Sequence, residues 1–369
     1  MCVNSLEQLE QRFAQFDSMQ KTEREAFEQD LVKAYPNESS LYRRAKILHM
    51  YGRCLYGGDM RKSSEVFRRS MATQLDILEH CKTLPESVTP ISVSDDDLMQ
   101  VAERVDLKSQ HDEAFLLAKT LRWLGHSYQN IDAMAKKDNL QLFKRIYGLA
   151  RSILENIPLK DANWEIGQLI YNTERFLHSL EYSEIDVRQF LKTLHIEMAP
   201  YLEKEGESLR GQVLRAQLHN ISAVYLRDVQ CADEQEEAQL LQQQYTEVVE
   251  ARRIATGTPG FNPFLQILFL HNSANLALKC LDKKCPVQSL EEITASLNQM
   301  MHEMKEQQFD HCYYPGMCIT AARAALKSQN HEEAKKILVL AERLCDSFKD
   351  SCQDDLIEIH QLQKDNAFC

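Results

Sequence analysis

The stretch CITAARAALKSQNHEEAKKILVLAERL, residues 318–344, reads as two helices meeting at a short break. Its alanines, leucines, lysines and glutamates are good helix formers. Asn330 followed by Glu333 is a capping box, in which the side-chain oxygen takes an orphan N–H of the first turn and the acid reaches back. The pair predicts a hairpin near 313–347. The same signature recurs along the chain: Thr22 with Glu25, Ser183 with Asp186, Ser289 with Glu292 and Ser351 with Asp354 each open a run of helical period. With Pro36 as a breaker, these marks predict N-terminal helices over 4–16 and 22–34. Hairpins are expected near 40–82, 110–157, 161–204, 207–255 and 263–307, and a last helix near 351–364.

Composition agrees with an all-α chain. Of 369 residues 44% are hydrophobic, enough for a core, and only 11 Gly and 9 Pro punctuate the chain, too few for a turn-rich β fold. A net charge of -12 disfavours nucleic acid and anionic membrane surfaces, because phosphate binding needs a concentrated basic face. No apolar run reaches the roughly 18 residues of a membrane span. The start, MCVNSLEQLEQRF, lacks a signal peptide's basic end and apolar stretch, so no membrane insertion and no common export are expected. Eleven cysteines scattered through helices, as at Cys54 and Cys345, do not make a disulfide framework and suit a reducing compartment. Cys369 and Cys2 fit no lipidation motif. The expected location is cytoplasmic, in the chain's own cell or in a host cell.

Two breaks stand out. LPESVTPISVSDDD, residues 84–97, has no helical period and is expected to be a mobile loop, and GTPGFNP, 257–263, suits a tight turn between stacked hairpins. Neither marks separate domains. The expected organisation is N-terminal helices (1–36) packed on a helical array (37–347), followed by a capping helix and tail (348–369).

Internal repetition is the most informative signal. LIYNTERFL from 169, QLHNISAVYL from 217 and FLHNSANLAL from 269 align without gaps and place Asn172, Asn220 and Asn272 at one register, 48 and 52 residues apart. The residues resemble the tetratricopeptide repeats, whose helix pairs carry small residues where the helices close on each other. Ala322, Ala334, Leu338 and Ala341 fall on the family's small, small, large, small positions. LHMYGRCLYGGDMRKSSEVFRRS looks similar through Tyr51, Gly52, Leu55, Phe67 and Ser70, with one residue missing between its helices, and LRWLGHSY through Leu124, Gly125 and Tyr128. The family unit is about 34 residues, whereas most hairpins here need 45 or more, so the resemblance covers about half the chain and implies long, irregular helices. It implies a superhelical array of antiparallel hairpins; HEAT-type stacks and four-helix bundles share the apolar periodicity.

The resemblance also implies a concave surface lined by the first helix of each hairpin, at the places three before and one after the small position. The first place holds His49, Arg122, Tyr171, His219, His271 and Ile319; the second holds Arg53, His126, Arg175, Ala223, Asn275 and Arg323. No acid occupies any of the twelve. Independently, Leu214, Leu218, Ile221 and Tyr225 share one helix face, and at 100° per residue His219 and Ala223 lie off it. Such a groove, with Asn172, Asn220 and Asn272, would suit an extended, acidic peptide: Asn amides can bond a backbone and Arg pairs with carboxylate or phosphate.

The expected function is therefore a non-enzymatic protein- or peptide-binding scaffold, without cofactor, metal or catalytic residues. The alternative is a regulatory protein or enzyme that senses a peptide and acts on a partner through its N-terminal helical region, as the length resembles bacterial peptide-receptor phosphatases. Cys280, Cys285, His311, Cys312 and Cys318 lack the paired knuckle spacing of a zinc site. No nucleotide, dinucleotide, zinc-protease or serine-hydrolase motif occurs. Glu236 with Glu237 reads as a solvated helix start, and Trp123, Trp164, Tyr128, Phe176 and the Met300, Met301, Met304 group read as core.

Overall fold

Caps and close-packed glycines set the helices and their pairing. The computed structural model describes residues 5–16, 19, 21–75, 93–104, 110–131, 134–181, 187–226, 229, 231–306, 311–348 and 352–366. Among these there are sixteen α-helices and no strand. Two compact units divide the chain at Tyr182 and Ser183. The first contains α1 (Leu6–Phe13), α2 (Lys21–Ala34), α3 (Leu41–Leu55), α4 (Met60–Gln74), α5 (Asp95–Ala102), α6 (His111–Gln129), α7 (Leu140–Asn156) and α8 (Ala162–Glu181). The second contains α9 (Val187–Glu205), α10 (Leu209–Leu226), α11 (Glu234–Gly257), α12 (Pro263–Asp282), α13 (Leu290–Glu306), α14 (Tyr314–Lys327), α15 (His331–Ser347) and α16 (Gln353–Asp365).

The division falls inside the hairpin expected at 161–204, where EYSEID (181–186) offers no Gly or Pro to mark it. Ser289 and Glu292 form the full capping box, and Asn330 accepts the Glu333 N–H at 3.2 Å. Thr22 does not cap, because α2 already starts at Lys21. A capping box not expected from the sequence opens α1: Ser5 and Gln8 exchange bonds of 3.3 and 2.9 Å. The Ser183 and Ser351 caps lie outside the described residues, as do residues 84–92 of the expected loop. The end of that loop is helical. Ser94 caps α5, so Asp95, Asp96 and Asp97 are its first turn, where carboxylates favour the dipole, and Asp95 is held by Arg68 and Tyr128, each at 2.8 Å.

Within each unit the helices pack by one rule. In the first, α3 pairs with α4, α4 with α6, α6 with α7 and α7 with α8, while α3 also meets α6 and α6 meets α8. In the second, each of α9 to α16 packs on the next, with α12 touching α14 and α14 touching α16. Some helices thus also touch across the element that follows them in the chain, as α3 does with α6, α6 with α8, α12 with α14 and α14 with α16. The predicted small positions explain the closeness. A methyl at Gly52 would meet the Phe67 ring at 2.7 Å, and one at Gly125 the Tyr147 ring at 2.6 Å; Ala322, Ala334 and Ala341 are fully buried. At the N-terminus Leu9, Phe27, Leu31 and Tyr35 join Ile47 and Leu48 in one core.

Candidate functional site

The place three before the small position turns out to be a joint. In three hairpins its side chain reaches the next first helix rather than open space. His49 on α3 binds Thr120 on α6 at 3.1 Å, Arg122 on α6 pairs with Glu165 on α8 at 2.9 Å, and His271 on α12 binds Thr320 on α14 at 2.8 Å. Both threonine hydroxyls spend their proton on the carbonyl four residues back, so each histidine ring must donate to its threonine. Burial drives both pKa values down. His49 lies well below its usual range, with Lys119, Arg53 and Arg122 adding to the effect, and His271 falls to about 4.

A pH dependence follows from His271. The unfolded chain takes up its proton near pH 6.5 and the folded chain only near 4, so stability is full above 6.5 and is lost as pH falls between those values. Because the ring is only partly buried, about 2 kcal/mol is expected. His271→Gln should shed that part of the slope in denaturant titrations at pH 6.5 and pH 4; an unchanged slope would refute the assignment.

The remaining candidates divide. Tyr171 and Ile319 are buried in the core. His219 is held by Glu247 on α11 at 2.8 Å. The predicted face lacks acids only along its own helices, since neighbouring elements supply Glu165, Glu247 and Glu358, the last bound to Arg323 at 2.5 Å. Ala223 is a correction: it is buried with Val248 and Leu276, because α11 and α12 cover the side that the helical angle left open. The asparagines are corrected likewise. Asn220 and Asn272 bond each other at 2.8 Å between α10 and α12, and Asn172 bonds the Gln168 carbonyl of its own helix at 2.6 Å. Asn275 is half-buried, and the side chain of Arg175 lies outside the described residues.

What converges is in the first unit. Along α3 run His49 and Arg53, with Tyr56 at its C-cap; along α6 run Phe115, Lys119, Arg122, Trp123 and His126, at the spacing of one helical face. Trp123 is the hub. The Arg53 guanidinium stacks on it at 3.8 Å and that of Arg122 at 4.8 Å, while the Tyr56 and His126 rings lie 5.0 and 5.3 Å away. Tyr56 and His126 are also linked at 3.4 Å. Arg53, Tyr56, Lys119, Trp123 and His126 remain half-buried, so they reach solvent. Trp123 therefore departs from the core reading, which Tyr128 and Phe176 keep. Lys119, Tyr56 and Glu165 were missed; the 3.6 period through Phe115, Lys119, Arg122 and His126 was the signal that could have found the first.

Cys280, Cys312 and Cys318 are buried, burial pushes the Cys280 thiol up to about 12, and among the described residues no three metal-ligating side chains come together. Among the described residues no helix is long and apolar enough to cross a membrane. No family model matches the sequence, and comparison with curated proteins finds no significant relative.

Proposed function

We propose that the chain is a non-enzymatic binding scaffold, a divergent long-helix relative of the tetratricopeptide arrays, that captures a protein or extended peptide on the α3–α6 face of its first unit. The observation that carries this is the partly open cluster of Arg53, Lys119, Trp123 and His126 on two neighbouring first helices. Aromatic rings and arginines supply most of the binding energy in protein interfaces, and a cationic face suits an acidic segment. The small residues Gly52, Gly125 and Ala322 support the array reading, since each closes a hairpin. The described cysteines are free thiols, which fits a reducing cytoplasm of the chain's own or a host cell.

Site-specific photocrosslinking tests the surface. A crosslinker placed at His126 should capture one partner that the same group at Lys144, exposed on α7, does not. Arg53→Glu should abolish that adduct. Equal capture at both positions, or capture indifferent to Arg53→Glu, would overturn the reading.

A further inference from the structure

We propose that this face seats a phosphate monoester, carried on a phosphorylated segment of a partner protein, against Lys119, Arg122 and Trp123, with Arg53 alongside. Lys119, Arg122 and Trp123 stand at i, i+3 and i+4 on α6, one turn of one face. Among the described residues the Lys119 ammonium has no hydrogen bond or ion pair, only the Phe115 ring at 5.3 Å. Arg122 reaches Glu165 through one terminal nitrogen, but its Nε has no acceptor, and neither has the indole Nε1 of Trp123; both atoms are buried. An unpaired buried donor costs about 1–3 kcal/mol, and native structures hold few of them without a reason.

Charge compounds the cost. Burial together with the nearby Arg122 and Arg53 pushes the Lys119 ammonium below its ordinary pKa, against the opposing pull of Glu165 and Asp161. An arriving dianion relieves the repulsion and satisfies the idle donors together. A phosphate monoester brings three acceptor oxygens and a charge of about -1.5 to -2, matching three donors on one turn; a carboxylate brings two oxygens and a single charge. Polyanions are disfavoured because the unit as a whole is acidic, with 24 Lys and Arg against 27 Asp and Glu over residues 1–182. A single phosphate on a peptide feels only the local field, and the Tyr56 and Phe115 rings can cover its flanks. That the phosphate arrives on a peptide rests on the binding-surface reading above; the anion site does not.

The chain has two tryptophans, so full-length protein carrying Trp164→Phe reports Trp123 alone by its fluorescence. Inorganic phosphate at constant ionic strength should give a saturable response that sodium acetate does not. Lys119→Met should weaken it about tenfold or more, as for loss of a charge-assisted bond, and Lys119→Arg should keep affinity within about threefold. A phosphoserine peptide library should then bind in preference to its unphosphorylated counterpart. No saturation, an equal response to acetate, or a folded Lys119→Met that binds as well overturns the anion site, whatever the crosslinking shows. If Lys119→Met does not fold, the acetate comparison on the intact site decides. Phosphate saturation without preference for the phosphorylated library overturns the phosphopeptide assignment and leaves the binding surface to its own test.

Discussion

Replacing Glu165 with alanine should destabilise the chain by about 3–5 kcal/mol, because it leaves the buried Arg122 without its counter-charge. Arg122 and Glu165 are 5% and 6% exposed, so water replaces the missing carboxylate poorly. Lys119 and Arg53 stand close by and add repulsion rather than relief. The two atoms approach to 2.9 Å as an ion pair, and its worth is in being complete. Replacing both partners with methionine should recover most of the loss, since a buried pair and an apolar pair of similar volume are often close in stability. Urea titrations of the two single variants and the double variant measure this directly. If Glu165→Ala costs less than about 1 kcal/mol, the pair is not desolvated in solution, and the joint between α6 and α8 has been misjudged.

Gly125→Ala and Gly148→Ala should move stability in opposite directions although both lie in helices. A methyl at Gly125 would sit 2.6 Å from the Tyr147 ring, which is buried and whose hydroxyl accepts a hydrogen bond from Gln129. The ring has nowhere to go without parting α6 from α7. The overpacking cost of about 1–3 kcal/mol or more outweighs the gain of up to about 1 kcal/mol from a better helix former, for a net loss of about 2 kcal/mol. Gly148 has nothing within 4 Å of the added carbon, so alanine there should stabilise α7 by about 0.5–1 kcal/mol. Adding Tyr147→Leu to Gly125→Ala should return part of the loss. A Gly125→Ala variant as stable as its parent would show that hairpin closure does not depend on that contact.

These cases show how much of the fold could be read in advance. Small residues at Gly52 and Gly125 marked the places where two helices close, and the rings beneath them, Phe67 and Tyr147, confirm the reason. Caps such as Ser289 with Glu292 placed helix starts to within a residue. Helix α5 was hidden, because a helix of eight residues opening on three aspartates looks like the polar end of a loop. The candidate surface was half legible. The residues three before each small position were expected to line a groove; His49, Arg122 and His271 instead tie neighbouring helices while Tyr171 and Ile319 are core, because each role depends on what faces the side chain. Thr120, Glu165 and Thr320 lie 71, 43 and 49 residues further along the chain from His49, Arg122 and His271.

By itself the sequence determined the all-helical class and most helix boundaries and pairings, because capping, propensity and close approach of small residues are local effects within one or two turns or one hairpin. Only the tertiary structure decided which polar side chains are spent and which remain open. Whether His49 lines a groove or ties two helices depends on a threonine brought beside it by packing. The idle donors of Arg122 and Trp123 are visible only once every neighbour has been placed.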